Sequence, residues 1–151
     1  MPKVNERFDL KYPIGTIWRF ARDSDLWAPL VPGYIRHHKI NHHATELECK
    51  INLGILKKTL KFYIEMNDGE GSYLIPFQFA SESHSIFGHG ILKGQAISPR
   101  ETRIFITVHV TVQGAMAPVV NTFIANAKQK FTQEIISAFE EKINKMNNSE
   151  H

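Results

Sequence analysis

Histidine is the residue type that could most readily do chemistry in this chain. There are eight, and four of them lie close together in the sequence: His37, His38, His42 and His43. A zinc site would need imidazole nitrogens converging at about 2.0–2.1 Å from one ion. Because neighbouring residues of a strand point to opposite faces, at most one of His37 and His38 could join a ligand from the turn. We therefore interpret the cluster as a solvated hairpin tip and predict no metal site.

Nucleophilic catalysis would need a Ser, Thr or Cys beside a base that a third group orients. Ser83-His84-Ser85 is suggestive, but it lies in a polar connection without a nucleophile motif such as Gly-x-Ser-x-Gly. Paired carboxylates are not predicted on an apolar face either, because these acidic residues fall on polar strand faces: Asp9, Glu46, Glu48 and Glu65. We therefore predict no catalytic residue and no cofactor, and a binding protein is a more economical interpretation than an enzyme.

Composition indicates one domain with a full hydrophobic core. The 151 residues are 42% hydrophobic and 22% charged, and a chain of about this length buries roughly 68–70% of the surface that its unfolded form exposes. The 18 basic and 15 acidic residues give a net charge of +3, without the basic stripe that nucleic-acid binding requires. We expect a domain over residues 1–146, a polar tail over 147–151 and no nucleic-acid partner.

The single cysteine and the N-terminus indicate the cellular setting. Cys49 has no partner for an internal disulfide and falls at a small buried position of a predicted strand. The first ten residues lack the apolar run of about 7–15 residues that a signal peptide has, and no stretch approaches the roughly 20 apolar residues of a membrane span. We predict a reduced, cytoplasmic protein whose membrane contact is at most peripheral.

The elements that must position these residues follow from hydrophobic periodicity. Alternation over residues 7–12 predicts a strand, helical spacing predicts short helices over 14–22 and 25–30, and alternation between 34 and 113 predicts six more strands. From Ala115 to about Met146 apolar residues recur at helical spacing, which predicts one long helix. An antiparallel sheet with one apolar face needs a cover. The sequence therefore predicts an α+β fold in the order β-α-α-β6-α, a seven-stranded antiparallel sheet covered by the last helix.

The sixth predicted strand, residues 86–97, is unusual for its small residues. Gly88, Gly90 and Gly94 fall on the face that the helix should cover, opposite His89 and Lys93. Glycines inside a strand often mark a close backbone approach or a place where something else must fit. Two alternatives stay open: the C-terminal helix lies very close to this strand, or a cavity opens between helix and sheet. The large apolar residues aimed at the same interior favour the cavity.

Several motifs resemble those of a known family. They are Trp18 followed by Ala21-Arg22-Asp23 and Leu30-Val31-Pro32-Gly33, then Ile51-Asn52-Leu53-Gly54-Ile55-Leu56-Lys57, the strand from Gly88 to Ala96, and Val112-Gln113-Gly114-Ala115-Met116-Ala117. These stretches are similar to the CoxG-like branch of the START/Bet v 1 (SRPBCC) superfamily, a branch associated with carbon monoxide dehydrogenase. The chain departs from that pattern at Ile55, where the family has proline, and at Val31, where it often has leucine. The resemblance implies the helix-grip fold, with the sheet curved around the long helix.

The resemblance and the apolar interior together predict a function. We expect a non-enzymatic carrier that holds a lipophilic, lipid- or quinone-like molecule between the sheet and the C-terminal helix. The resemblance also implies two alternatives: an accessory protein for assembly or membrane recruitment of a molybdenum hydroxylase such as carbon monoxide dehydrogenase, and an enzyme like the polyketide cyclases of the superfamily. Tyr63 or His89 would set ligand choice if either faced inward.

The predicted site has a lining and an entrance. The entrance comprises Trp27, Leu30, Pro32 and Gly33, where an exposed Trp27 would contact a membrane or a partner. The predicted ligand-binding residues are Leu10, Phe62, Ile64, Met66, Phe77, Phe79, Gly90, Leu92, Gly94, Val108, Val120, Phe123, Ile124 and Ala127.

Overall fold

The computed structural model describes residues 3–53, 56–67, 73–115 and 117–149, without the side chains of residues 52, 53, 56, 119, 123–131 and 147–149. The predicted α+β class and element order are confirmed. The elements are β1 Lys3–Leu10, α1 Ile14–Arg22, α2 Ser24–Trp27, a 3-10 turn Ala28–Leu30, β2 Tyr34–Lys39, β3 Ala44–Leu53, β4 Leu56–Met66, β5 Leu74–Ser81, β6 Ile86–Ser98, β7 Glu101–Val112 and α3 Ala117–Ser149. Gly54, Ile55 and Met116 of the quoted motifs lie outside the described residues.

All seven strands form one antiparallel sheet in the order β1-β7-β6-β5-β4-β3-β2. Strands β2 to β7 are neighbours in chain order, while β1 pairs with the last strand, with Phe8 opposite Ile104. Ile104 lies opposite Gly94 on its other side. Residues that face each other across strands share one face of the sheet. We call the face that carries these three residues the inner face, because α1 packs on it.

The second predicted helix forms in two pieces. Asp23 caps α2, its side chain accepting a hydrogen bond from the backbone N–H of Asp25 at 3.0 Å. The following 3-10 turn contains Pro29, which has no N–H to continue an α-helical ladder. The turn instead closes with the N–H of Val31 donating to the carbonyl of Ala28. The predicted helix over 25–30 is therefore an α-helical turn followed by a tighter one.

A closed core lies at one end of the inner face, where α1 and the C-terminal half of α3 meet the sheet. Phe20 of α1 and Phe139 of α3 pack edge to face, with ring centroids 5.1 Å apart. Each fully buried side chain of this kind stabilises the fold by about 1.5–3 kcal/mol relative to its exposed state. The core cluster consists of Leu10, Ile17, Trp18, Phe20, Ile75, Ile104, Phe139 and Ile143. These contacts fix α3 to the sheet through its C-terminal half.

The long helix ends later than its periodicity indicates. α3 runs to Ser149, so the first three residues of the predicted polar tail are helical. The end was predicted too early because asparagine and serine add nothing to a hydrophobic pattern. The last turn of a helix can extend over such residues without burying any of them. Among the described helices, none combines the length and the apolar character needed to cross a membrane.

Candidate ligand-binding site

Beyond the closed core, the inner face carries large apolar side chains that stay half-buried. Phe79 and Phe62 meet edge to face with ring centroids 6.3 Å apart, and Phe79 lies opposite Ile64 across the strands. Side chains that point toward a covering helix normally lose nearly all solvent access when the cover is tight. The half-buried inner-face residues of the predicted site are Phe62, Ile64, Met66, Phe77, Phe79, Leu92 and Val108. The structure brings them together along four neighbouring strands, β4 to β7.

Apart from Gly90 and Gly94, the other predicted lining residues fall into three groups. Leu10 is 4% exposed and belongs to the closed core. Val120 of α3 is half-buried. Phe123, Ile124 and Ala127 lie on α3, and their side chains are outside the described ones.

The glycines of β6 make room for aromatic rings. A methyl group on Gly94 would come within 2.5 Å of the Trp18 ring, and one on Gly90 within 2.6 Å of the Phe77 ring. Gly88 stands in the same relation to Phe79, at 2.7 Å. At Gly88 and Gly90 an added methyl group would also collide with backbone carbonyls of β7. Aromatic rings of α1 and β5, together with the β7 backbone, therefore occupy the space beside these glycines. Small residues here let the rings approach the strand closely.

The predicted entrance lies where α2 and the 3-10 turn meet β2 and α3. Trp27, Leu30 and Pro32 are half-buried, so Trp27 offers only part of its surface to a membrane or partner. Its indole Nε1 is buried, and no hydrogen-bond partner for it lies among the described atoms. Gly33 has a φ of +81°, a conformation that favours glycine, and a side chain there would collide with the carbonyl of Lys50.

Tyr63 and His89 both face away from the predicted site. Tyr63 pairs with Ala80 on the outer face of the sheet and is 41% exposed. His89 is exposed on the same face, where its ring stacks on His109 with centroids 5.0 Å apart. Neither side chain can set ligand choice in a pocket on the inner face.

A hydrogen-bonded chain of three side chains lies at the β2 edge of the inner face. The hydroxyl of Tyr34 is 2.8 Å from Nδ1 of His37, and Nε2 of His37 is 2.8 Å from Oδ1 of Asp25 on α2. The strict alternation of a strand would place residues 34 and 37 on opposite faces. A β-bulge between Tyr34 and Arg36 shifts the register, so that both side chains point inward. Strand alternation alone therefore does not predict this group of side chains.

Two ion pairs hold this chain in place. Lys39 Nζ lies 2.7 Å from Asp23 and 2.9 Å from Asp25. The hydrogen bond from His37, and then that from Lys39, lower the pKa of the Asp25 carboxyl, while the hydrogen bond to Asp23 raises the pKa of Lys39. The cluster joins α2 to β2 and so fixes the entrance segment. Sequence spacing gave no sign of it, because Asp25 lies 12 residues from His37.

The four clustered histidines divide between the two faces of β2 and the turn, and the predicted solvated hairpin tip does not include His37. His37 points inward with its side chain 14% exposed, while His38 is exposed on the outer face. His42 and His43 are exposed in the turn before β3. Among the described residues, no three His, Cys, Asp or Glu side chains are close enough to hold a metal ion.

Further polar groups of the inner face include Cys49 and Glu6. Cys49 is 5% exposed opposite Tyr34, and burial raises the pKa of its thiol. Glu6 is half-buried opposite Ile106, on the same face as Phe8. The alternation of β1 would have revealed Glu6 if the predicted strand had begun earlier than residue 7. It is the charged group of β1 that an inner-face ligand would meet.

Solved structures share this architecture over nearly the whole chain. A conserved protein from Geobacillus kaustophilus superposes with a TM-score of 0.83 at 16% identity, covering 95% of this chain and 96% of that one. A START superfamily protein from Mycobacterium smegmatis gives a TM-score of 0.71 at 11% identity, covering 92% and 97%. The Zhui aromatase/cyclase from Streptomyces sp. R1128 gives 0.69 at 8% identity, covering 94% and 95%.

The fold defined by these likenesses is the helix-grip fold of the START/Bet v 1-like (SRPBCC) superfamily. The predicted fold is thus confirmed. No family model matches the sequence, and no curated protein matches it. The CoxG-like branch stays a prediction.

Proposed function

We propose that the protein is a carrier that binds a lipophilic, lipid- or quinone-like molecule between the inner face of the sheet and α3. The observation that supports this most directly is the half-buried row on β4 to β7, which includes Phe62, Phe79 and Val108. Burying such surface against a ligand contributes about 25 cal/mol per Å² of apolar area. The free, buried Cys49 is consistent with the cytoplasmic location that forms part of the proposal.

Binding of an uncharged fluorescent probe, N-phenylnaphthylamine, tests the proposal. Val108 is half-buried on the inner face, whereas Ile91 is 46% exposed on the outer face. Val108→Phe should weaken probe binding by about tenfold, equivalent to ~1.4 kcal/mol, because the larger ring fills ligand space. Ile91→Phe adds a similar volume outside the site and should leave binding unchanged. Equal binding by both variants and the wild type would count against an inner-face pocket.

A cyclase-like enzyme is the second candidate. Two of the solved structures with this fold are described as aromatase/cyclases, namely Zhui and the di-domain BexL. Such an activity would need polar groups that converge on the ligand, and Glu6 and Tyr34 are the inner-face candidates. The role beside a molybdenum hydroxylase stays a prediction from the motif resemblance, and affinity capture from the native host tests it.

A further inference from the structure

We propose that Asp25, His37 and Tyr34 form a proton relay that makes the Tyr34 hydroxyl a nucleophile toward carboxylic esters. This inference goes beyond the proposed carrier function, because it assigns a covalent reaction to residues at the entrance. It does not require the pocket ligand to be known.

The three groups stand in the order of a nucleophile, a base and an orienting acid. Oη of Tyr34 is 2.8 Å from Nδ1 of His37, and Oδ1 of Asp25 is 2.8 Å from Nε2. Both distances lie within the range of about 2.6–3.2 Å expected for groups that exchange a proton. The order of the three groups is the same as in a serine–histidine–aspartate triad, with a phenol in place of the serine hydroxyl and with the two ring nitrogens exchanged.

The contacts of Asp25 fix the tautomer of the His37 ring. The carboxylate accepts hydrogen bonds from Lys39 Nζ, at 2.9 Å, and it is ionised at neutral pH because its pKa is lowered. An ionised carboxylate can only accept, so Nε2 of His37 must carry the proton that it shares with Asp25. In the neutral ring, Nδ1 then holds a lone pair that accepts the hydrogen bond from the Tyr34 hydroxyl.

The proposed step balances without a further reagent. Oη of Tyr34 attacks the ester carbonyl carbon as its proton passes to Nδ1 of His37. A C–O bond forms to Tyr34, the bond to the leaving alcohol or phenol breaks, and the leaving group takes the proton from His37 directly or through water. The products are O-acyl Tyr34 and the free alcohol or phenol, and His37 is again neutral.

Both reacting side chains lie on the inner face and keep some exposure to solvent. Tyr34 is half-buried and the His37 side chain is 14% exposed, so both retain contact with solvent. Tyr34 pairs with Cys49, and His37 with Leu47, on the inner face. An ester with an apolar acyl group would therefore lie against the apolar inner face while its carbonyl meets Tyr34.

Acylation by p-nitrophenyl acetate tests the relay in the intact protein. Wild-type protein is reacted in mildly alkaline buffer and digested for peptide mass spectrometry. Tyr63, which is 41% exposed on the outer face, is the internal control for an unassisted tyrosine. We expect Tyr34 to be acetylated on the order of 100-fold faster than Tyr63, the low end of what general-base catalysis supplies.

Variants separate a relay from a merely structural hydrogen-bond chain. Tyr34→Phe should abolish the fast acetylation, and Asp25→Asn should slow it because the uncharged amide accepts more weakly and its NH2 group can donate to the ring and favour the other tautomer. His37→Ala should lose it and regain it when free imidazole is added, which a structural role would not produce. Tyr63→Phe should change nothing, and circular dichroism confirms that each variant is folded.

Several outcomes would overturn the relay. They are equal acetylation of Tyr34 and Tyr63, a His37→Ala variant that reacts as fast as the wild type, or one that imidazole does not rescue. Failure of the carrier proposal appears separately, as loss of probe binding on the inner face with the acetylation of Tyr34 intact.

Discussion

The indole of Trp18 lies against Gly94, so close that a methyl group on the glycine would come within 2.5 Å of Cζ3. Trp18 is 2% exposed and belongs to the closed core. The contact joins α1 to β6 and places the two short helices over one end of the sheet. Further along β6, the rings of Phe77 and Phe79 lie against Gly90 and Gly88 in the same way.

Gly94→Ala should destabilise the protein by about 1–3 kcal/mol, because the added methyl group overpacks the core and must displace a large buried ring. Gly15→Ala is the matched control, since a Cβ there meets nothing within 4 Å. Alanine is a better helix former than glycine, so this control should be neutral or stabilising by about 0.5–1 kcal/mol. Urea unfolding midpoints measure both changes, and equal stability of Gly94→Ala and wild type would show that the ring does not lie over the strand.

Asp25→Asn should lower the melting temperature at neutral pH, and the difference from wild type should shrink in acid. The pKa of Asp25 is lowered in the folded state by His37 and Lys39. Its contribution is therefore complete above the ordinary aspartate pKa of about 3.9 and is lost as the pH falls through the lower folded value. Thermal melts from about pH 7 to about pH 3 measure the effect.

Asp9→Asn tests the same acid dependence, that of a carboxylate whose pKa is lowered in the folded state, at the opposite edge of the sheet. Asp9 accepts hydrogen bonds from Arg103 at 2.9 Å and 3.2 Å, which lower its pKa. It should show the same acid dependence without affecting Tyr34 or His37. A constant difference between either variant and the wild type across the pH range would contradict the assignment of these ion pairs.

Cys49 should react slowly with dithiodipyridine in the native protein and rapidly in urea. The thiol is 5% exposed, and burial raises its pKa, so little thiolate reaches the reagent. The absorbance of released pyridine thione follows the reaction. Rapid, complete reaction under native conditions would mean that the inner face at β3 is far more open than the packing of Cys49 indicates.

Local periodicity accounts for most of the fold. Ile104, Ile106 and Val108 alternate with a period of two, which indicates a strand and not a helix, and they lie in β7. The helical spacing over residues 14–22 likewise predicts α1, which has those bounds. Element ends were less accurate, because β1 begins at Lys3 and α3 ends at Ser149 on polar residues that carry no hydrophobic signal.

The hydrogen-bonded group at the edge of the inner face could not be predicted from the spacing of residues in the sequence. The inward direction of both Tyr34 and His37 depends on a β-bulge, and a bulge is a property of strand pairing. Asp25 joins them only because α2 packs beside β2. The occupants of the space above the β6 glycines, Trp18 and Phe77 among them, likewise come from other elements.

Native mass spectrometry of the protein purified from its own host, before and after organic extraction, tests the carrier proposal most directly. The account predicts a one-to-one complex with an apolar molecule that extraction removes and that Val108→Phe weakens while Ile91→Phe does not. Protein that carries no such molecule, and takes up neither lipids nor quinones when they are added back, would contradict it.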